Sequence, residues 1–361
     1  MGAKGEQASF GRQTMSGHTE SAFGRRGRAG WVLAAGLACA LAMASGCSVR
    51  RFAIENMAGL FSEGAAAYAS DKDPELIREA MPFSLKLIEG MLNELPDHRE
   101  LLLAACSGFT QYAYVFLDQE ADEVESGTLP VTAVSLGRFA RPIQIDTKGG
   151  AAGEPAPSSP KLALAADLRT RSRGLYLRAR DYGLRGLDAA HPGFWAALAR
   201  SPKTAVQAAR KDDVPLLYWT AAAWGSAIAI SKEVPDLVAD QIKMEALIDR
   251  ALELDESYDH GAIHGFLITY ERVRQGAAGS PESRIRPHFE RAVELSNGQL
   301  AMPMVAYAES VSLQQQNRQE FEAMLRRALA ISPDARPEWR LVNLVAQRRA
   351  RWLLSRIDDL F

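Results

Sequence analysis

Apolar residues recur along most of this chain at intervals of three and four. Met244, Leu247, Ile248, Ala251 and Leu252 stand at i, i+3, i+4, i+7 and i+8, and Phe321, Met324, Leu325, Ala328 and Leu329 repeat that spacing. Met81, Leu85, Ile88, Leu92 and Leu95 step by four, three, four and three. Trp339, Val342, Ala346, Ala350, Leu353, Ile357 and Leu360 continue the rhythm to the C-terminus. Each set forms an apolar stripe along one helix face. No sustained strict alternation of apolar and polar residues marks a strand, and only residues 131–145 leave room for a short one. The pattern predicts an all-α protein.

The helix ends repeat loosely. Ala251-Leu252-Glu253-Leu254-Asp255, Ala292-Val293-Glu294-Leu295-Ser296 and Ala328-Leu329-Ala330-Ile331-Ser332-Pro333 resemble one another at unequal intervals. Tetratricopeptide units are helix pairs of 34 residues with small residues where the helices meet. The expected architecture is therefore one compact array of irregular, tetratricopeptide-like helical hairpins. An all-α bundle with coincidental Ala-Leu helix ends is the alternative. The helical pattern fades over 126–161, where Lys148-Gly149-Gly150 and Pro155-Ala156-Pro157 read as a flexible loop.

The N-terminus reads as an address. Arg25-Arg26-Gly27-Arg28 precedes an apolar run over 31–44, too short to span a membrane and suited to a signal-peptide core. The run ends in Ala44-Ser45-Gly46-Cys47, which resembles a bacterial lipobox. Residues 1–46 are expected to be removed as a lipoprotein signal, and Cys47 is the expected lipid attachment point. Two or three acyl chains would anchor the protein stably at the face of a bacterial membrane, because one chain alone holds only marginally. The domain organisation is thus a signal over 1–46 and a helical domain over 47–361.

Composition narrows the function. Of 361 residues 47% are hydrophobic and 24% charged, as in an ordinary globular protein, and the net charge of −2 leaves no basic excess to coat a nucleic-acid backbone. Cys39 leaves with the signal and Cys47 is capped, so Cys106 has no partner for an intramolecular disulfide. Its apolar neighbours make it a small buried residue rather than a nucleophile.

No Gly-x-Ser-x-Gly, phosphate loop or dinucleotide fingerprint is present. His260 and His264 stand four apart on an expected helix from Tyr258 to Arg272 and would share a face with Glu271. Zinc needs further ligands, and Gly261 follows the first histidine where a zinc protease carries glutamate. A structural or ligand-lining role is preferred, and no metal or other cofactor is expected. Glu120, Asp122, Glu123 and Glu125 read as a solvated helix face. The arginines of Arg348-Arg349-Ala350-Arg351 read as an anion site or as surface partners of Asp358 and Asp359.

Aromatic residues are more suggestive. Phe109, Tyr112 and Phe116 align at helical spacing, whereas Tyr114 points elsewhere. The segment Tyr218-Trp219-Thr220-Ala221-Ala222-Ala223-Trp224 is apolar nearly all round and must be buried centrally. Such rings are usually core. The functional reading is an apolar channel lined by Phe109, Tyr112, Phe116, Trp219, Trp224, His264 and Tyr270.

Several segments together resemble the T component associated with tripartite ATP-independent periplasmic (TRAP) transporters, the TatT-like family. They are Tyr68-Ala69-Ser70-Asp71-Lys72-Asp73-Pro74, Ala105-Cys106-Ser107-Gly108-Phe109-Thr110-Gln111-Tyr112, Arg180-Asp181-Tyr182-Gly183-Leu184-Arg185, His260-Gly261-Ala262-Ile263-His264 and Gln347-Arg348-Arg349-Ala350-Arg351-Trp352. The resemblance implies a non-enzymatic, lipid-anchored periplasmic accessory protein, held more naturally at the outer membrane. It also implies a homotrimer, a hydrophobic pore through each subunit, a small apolar carboxylate as ligand and a periplasmic solute-binding protein as partner. Two rival readings are a generic scaffold for cell-envelope protein assembly and a metal-dependent hydrolase built on His260 and His264.

Overall fold

The computed structural model describes residues 66–128 and 159–361. The signal over 1–46, Cys47 and residues 129–158 of the expected loop lie outside the described residues. The chain divides into two units, 1–53 and 54–361, and the described residues all belong to the second.

Every regular element among the described residues is helical. Helix α1 is Pro74–Glu94; Asp73 caps it by accepting from the backbone N–H groups of Glu75 and Leu76, with Pro74 at its first position. Helix α2 (Arg99–Tyr112) runs without a break through a wider π turn (Ala113–Asp118) into α3 (Gln119–Glu125). Beyond 158 come α4 (Pro160–Ala190), α5 (Phe194–Arg200), α6 (Val214–Ala229), α7 (Gln241–Leu254) and α8 (Ala262–Tyr270). They are followed by α9 (Pro281–Leu295), α10 (Met302–Tyr307, extended by a second π turn, Ala308–Ser312), α11 (Arg318–Leu329), α12 (Arg340–Ser355) and α13 (Ile357–Leu360).

Neighbours in sequence pack as neighbours in space: α1 on α2, α6 on α7, α8 on α9, and α11 on α12. The predicted stripes face inward, with Leu85, Ile88 and Leu92 buried from α1, and Phe321, Leu325 and Ala328 from α11. Val342 of the last stripe is the exception and stays exposed. Helix α4 is the spine, packed against α2, α3 and α6. Along it, Tyr176, Ala179 and Leu187 are wholly shielded from solvent. Helix α6 is buried as its all-round apolarity requires, with Leu217, Ala221 and Trp224 at 0% exposure.

Where α2, α4 and α6 cross, the backbone of Gly183 comes so close that an added Cβ would lie 2.0 Å from Thr220 Oγ1 and 2.9 Å from Cys106 Sγ. Cys106 is therefore part of a helix crossing. Its thiol is fully buried, and that burial pushes its pKa up to about 12, so it carries little thiolate at neutral pH.

Trp224→Ala should cost about 3–5 kcal/mol, as for other fully buried large aromatics. Gly183→Ala should cost about 1–3 kcal/mol through overpacking. Urea melts followed by circular dichroism measure both; a loss under about 1 kcal/mol for Trp224→Ala would contradict its role as core.

Candidate functional site

The last long helix returns to the beginning of the array. Arg348 of α12 donates through Nε and an Nη to the two carboxylate oxygens of Glu123 on α3, at 3.1 and 2.9 Å. The same guanidinium reaches Glu75 of α1 at 3.4 Å. Arg349 donates to Asp122 at 2.6 Å and to Glu309, in the second π turn, at 2.7 Å. Asp122 also accepts from Arg169 of α4 at 2.6 Å. The Trp352 indole N–H donates to Thr128 Oγ1 at 2.8 Å, and Arg340 donates to the Ser70 carbonyl. The contacts of α12 with α1, α3, Ser70 and Thr128 link residues more than 220 positions apart and close the array on itself.

The acidic run on α3 is thus no solvated face. Glu120 is 2% exposed and pairs with Arg78 of α1, while Glu123 is also buried; of the four, Glu125 keeps the most open side chain. The arginine run also finds other partners than expected. Arg348 and Arg349 turn to α3, while Asp358 pairs with Arg318 and Asp359 with Arg356. Burial raises the pKa of Glu120, and the Arg78 charge works against that rise.

The predicted channel residues separate into several environments. Phe109 is buried and stacks on Tyr182 with ring centroids 6.1 Å apart, in one core cluster with Leu101 and Leu102. Tyr112 is half-buried and packs on buried Phe116 at 5.5 Å. Trp224 lies in another core cluster, with Trp195 at 6.1 Å and the Arg180 guanidinium 5.1 Å over its ring. Tyr270 stacks on Phe266 and donates its hydroxyl to Glu245 at 2.5 Å.

His264 is buried and shares one proton with His288 of α9, their Nδ1 atoms 2.9 Å apart. The expected helix from Tyr258 to Arg272 begins only at Ala262, because Asp259, His260 and Gly261 all have left-handed backbone (φ 44°, 54° and 93°). Gly261 is doubly required, since a Cβ there would also lie 3.2 Å from Ala292 Cα. The break separates His260 from His264: His260 packs edge-on against Trp339, with ring centroids 4.8 Å apart. Glu271 is taken by Arg274 and Arg284. No group of three His, Cys, Asp or Glu able to hold a metal is found among the described residues.

A different aromatic group keeps accessible surface. Tyr114, 41% exposed, extends from the first π turn until its hydroxyl lies 3.8 Å from Met302 Sδ on α10. Half-buried Tyr218 packs on Trp219 at 5.0 Å and on Tyr258 at 5.5 Å. These residues have accessible surface yet are desolvated: burial pushes the Tyr114 hydroxyl up to about 12, and Tyr258 likewise. Trp219 is the one predicted channel residue in this group. Helical spacing missed Tyr114 because the π turn changes the phase of the helix beyond Tyr112. Tyr258 precedes α8 in a turn, where no periodicity exists to flag it.

Two clefts open elsewhere. One of about 420 Å³ lies at the closure, between Glu125, Glu309, Arg349, Trp352 and Leu360. Another of about 530 Å³ lies between Lys203, Ile242, Asp249, Arg250 and Arg274. None of the seven predicted channel residues borders either cleft.

The described residues form a helical array whose last long helix is tied back to its beginning by ion pairs. No helix among the described residues is long and apolar enough to cross a membrane. The chain belongs to the TRAP transporter T-component family, whose model matches residues 70–139 and 154–361. That family comprises transporter accessories and is not a known enzyme family. An uncharacterized protein of Treponema pallidum (strain Nichols) is 25% identical over 354 residues, covering 90% of this chain and 97% of its own.

Two outcomes follow from the charges. Arg78→Met should cost about 3–5 kcal/mol by stranding buried Glu120, and Glu120→Gln in the same chain should restore most of it; a purely additive double-mutant cycle would contradict the coupling. For the histidines, burial lowers the His264 pKa to about 4, with His288 adding to it, and burial lowers His288 too. Their folded pKa values lie below the unfolded value of about 6.5, so protons favour the unfolded chain. Their contribution to stability is complete above that value and is lost as pH falls through the window from about 6.5 toward about 4. Thermal melts across this window should show the loss, and His264→Gln with His288→Gln should flatten it.

Proposed function

We propose that this chain is a lipid-anchored periplasmic accessory protein of a TRAP-type uptake system. It docks a solute-binding protein and holds a small apolar ligand in its interior. The observation that supports this reading is family membership together with a group of partly open aromatic rings, Tyr114, Tyr218, Trp219 and Tyr258, which we read as facing the interior of the array. Rings that served only as core would have no reason to keep that surface.

Of the seven residues picked from helical spacing, Trp219 belongs to this group, and Tyr112 is the partly open member of the α2 group. Phe109, Phe116, Trp224, His264 and Tyr270 are buried, so their part in the channel is to back the wall rather than form its surface. The hairpins are read as irregular tetratricopeptide-like units. Cys47 carries the lipid after removal of residues 1–46, and the assembly is read as a homotrimer. The reaction chemistry is assigned to none of these residues; the role is binding and delivery.

Native mass spectrometry of the protein drawn from its own envelope in mild detergent tests the reading. A solute-binding protein and an apolar small molecule are expected to accompany it. Recovery of envelope-assembly proteins with no small molecule would overturn it in favour of a general scaffold. In the same preparation, Cys47→Ala should move the protein from the membrane fraction to the soluble periplasmic fraction; continued membrane attachment would show that Cys47 is not the anchor.

A further inference from the structure

The cleft of about 420 Å³ at the closure has room for a small molecule, and its lining includes a cation with nothing to hold. The other charged groups along it are engaged. Asp122 accepts from Arg169 and from Arg349, both at 2.6 Å. Glu125 accepts from Arg169 at 3.0 Å, and Glu309 accepts from Arg349 at 2.7 Å. Arg356, between α12 and α13, is the exception. Its guanidinium donates no hydrogen bond among the described residues, and its Nε is shielded from solvent without a partner. The carboxylate paired with it, that of Asp359, stands 3.8 Å from Nε, beyond hydrogen-bond length, on a side chain 72% exposed.

A donor left unmatched and away from water is costly, and its persistence in a cleft is explained by a partner that arrives from outside. The arginine is also held in place. Its guanidinium lies over the Trp352 ring at 5.0 Å from the centre, and that of Arg349 lies over the same ring at 4.3 Å. The indole N–H bond to Thr128 fixes the ring. A stacked guanidinium keeps the edge of its planar fork free to meet a carboxylate with two hydrogen bonds, and a side chain already ordered loses little freedom on binding.

Apolar surface adjoins this cation. Leu313, Trp352 and Leu360 line the cleft and keep accessible surface, and buried Leu353 completes the lining. A cationic ligand would find every acid of the cleft already paired, whereas an anion would find the one unused donor. We propose that the closure cleft is a ligand site for a carboxylate with a short apolar tail, the carboxylate on Arg356 and the tail along Leu313, Trp352 and Leu360. The site goes beyond the function proposed above and is separate from the aromatic rings read there as the interior.

Equilibrium dialysis of the full chain tests it, with hexanoate, 1-hexanol and hexyltrimethylammonium as probes at about pH 8, above the range in which a carboxyl titrates. Hexanoate should bind at least about tenfold more tightly than either of the others, as a charged hydrogen-bonded pair requires. Arg356→Met should remove that preference without lowering the melting temperature, because the carboxylate it leaves behind, Asp359, is open to water. Trp352→Phe keeps a ring beside Arg356 and should abolish most of the fluorescence change that hexanoate causes; it carries the test should the Arg356 variant not fold. Hexanoate binding no better than hexanol, or binding and fluorescence that survive both substitutions, would overturn the cleft site and leave the interior reading standing. Failure of all three probes to bind would overturn the cleft site and the interior ligand together.

Discussion

The closure of the array rests on guanidinium–carboxylate pairs held out of water. Glu120 and Glu123 sit on the buried side of α3, where an unpaired charge would be far too costly to keep ionised. Arg78 and Arg348 meet them there from α1 and α12. Attraction between such charges is strong only because the dielectric is low, and breaking one pair leaves the other partner stranded. An open array would leave Glu123 without Arg348 and Asp122 without Arg349.

That constraint shapes the interior. Helices that pair only with sequence neighbours make an open superhelix with a concave face. Once α12 meets α1 and α3, elements distant in sequence are brought together. Tyr114 and Met302, 188 positions apart, are brought within 3.8 Å in this way. Tyr114 lies in the first π turn and Met302 opens the helix that the second π turn extends, where Glu309 takes one of the closing arginines. The wider turns serve a local purpose: they re-aim residues toward the interior and the closure while the helices continue.

Binding scaffolds of this kind separate stability from recognition. The Gly183 crossing, Trp224 and the wholly buried face of α4 hold the helices together. The residues with chemistry to offer a ligand lie on the π turn of α2, on the outer edge of α6 and in the strained turn before α8. None of these positions repeats the apolar stripe, so each is free to carry a polar tip without a cost in packing. The His264–His288 pair lies between α8 and α9, where it joins two helices through one shared proton. It belongs to the packing rather than to a metal site.

Periodicity was enough to determine the helices, their buried faces and the central place of α6, because an apolar stripe has only one way to leave water. The order of segments was enough to point to the family. Local sequence could not decide which charges are buried, since a run of acids on a helix looks the same whether water or arginine lies opposite. Glu120 and Glu123 were legible as helical and illegible as partners. Helical spacing also aligned Phe109, Tyr112 and Phe116 and set Tyr114 aside, because it assumes one turn geometry throughout. The left-handed turn at Asp259, His260 and Gly261 ended the histidine face that spacing suggested. Only the tertiary structure chose among these outcomes, because each depends on groups tens to hundreds of residues away or on a backbone turn that no periodic pattern encodes.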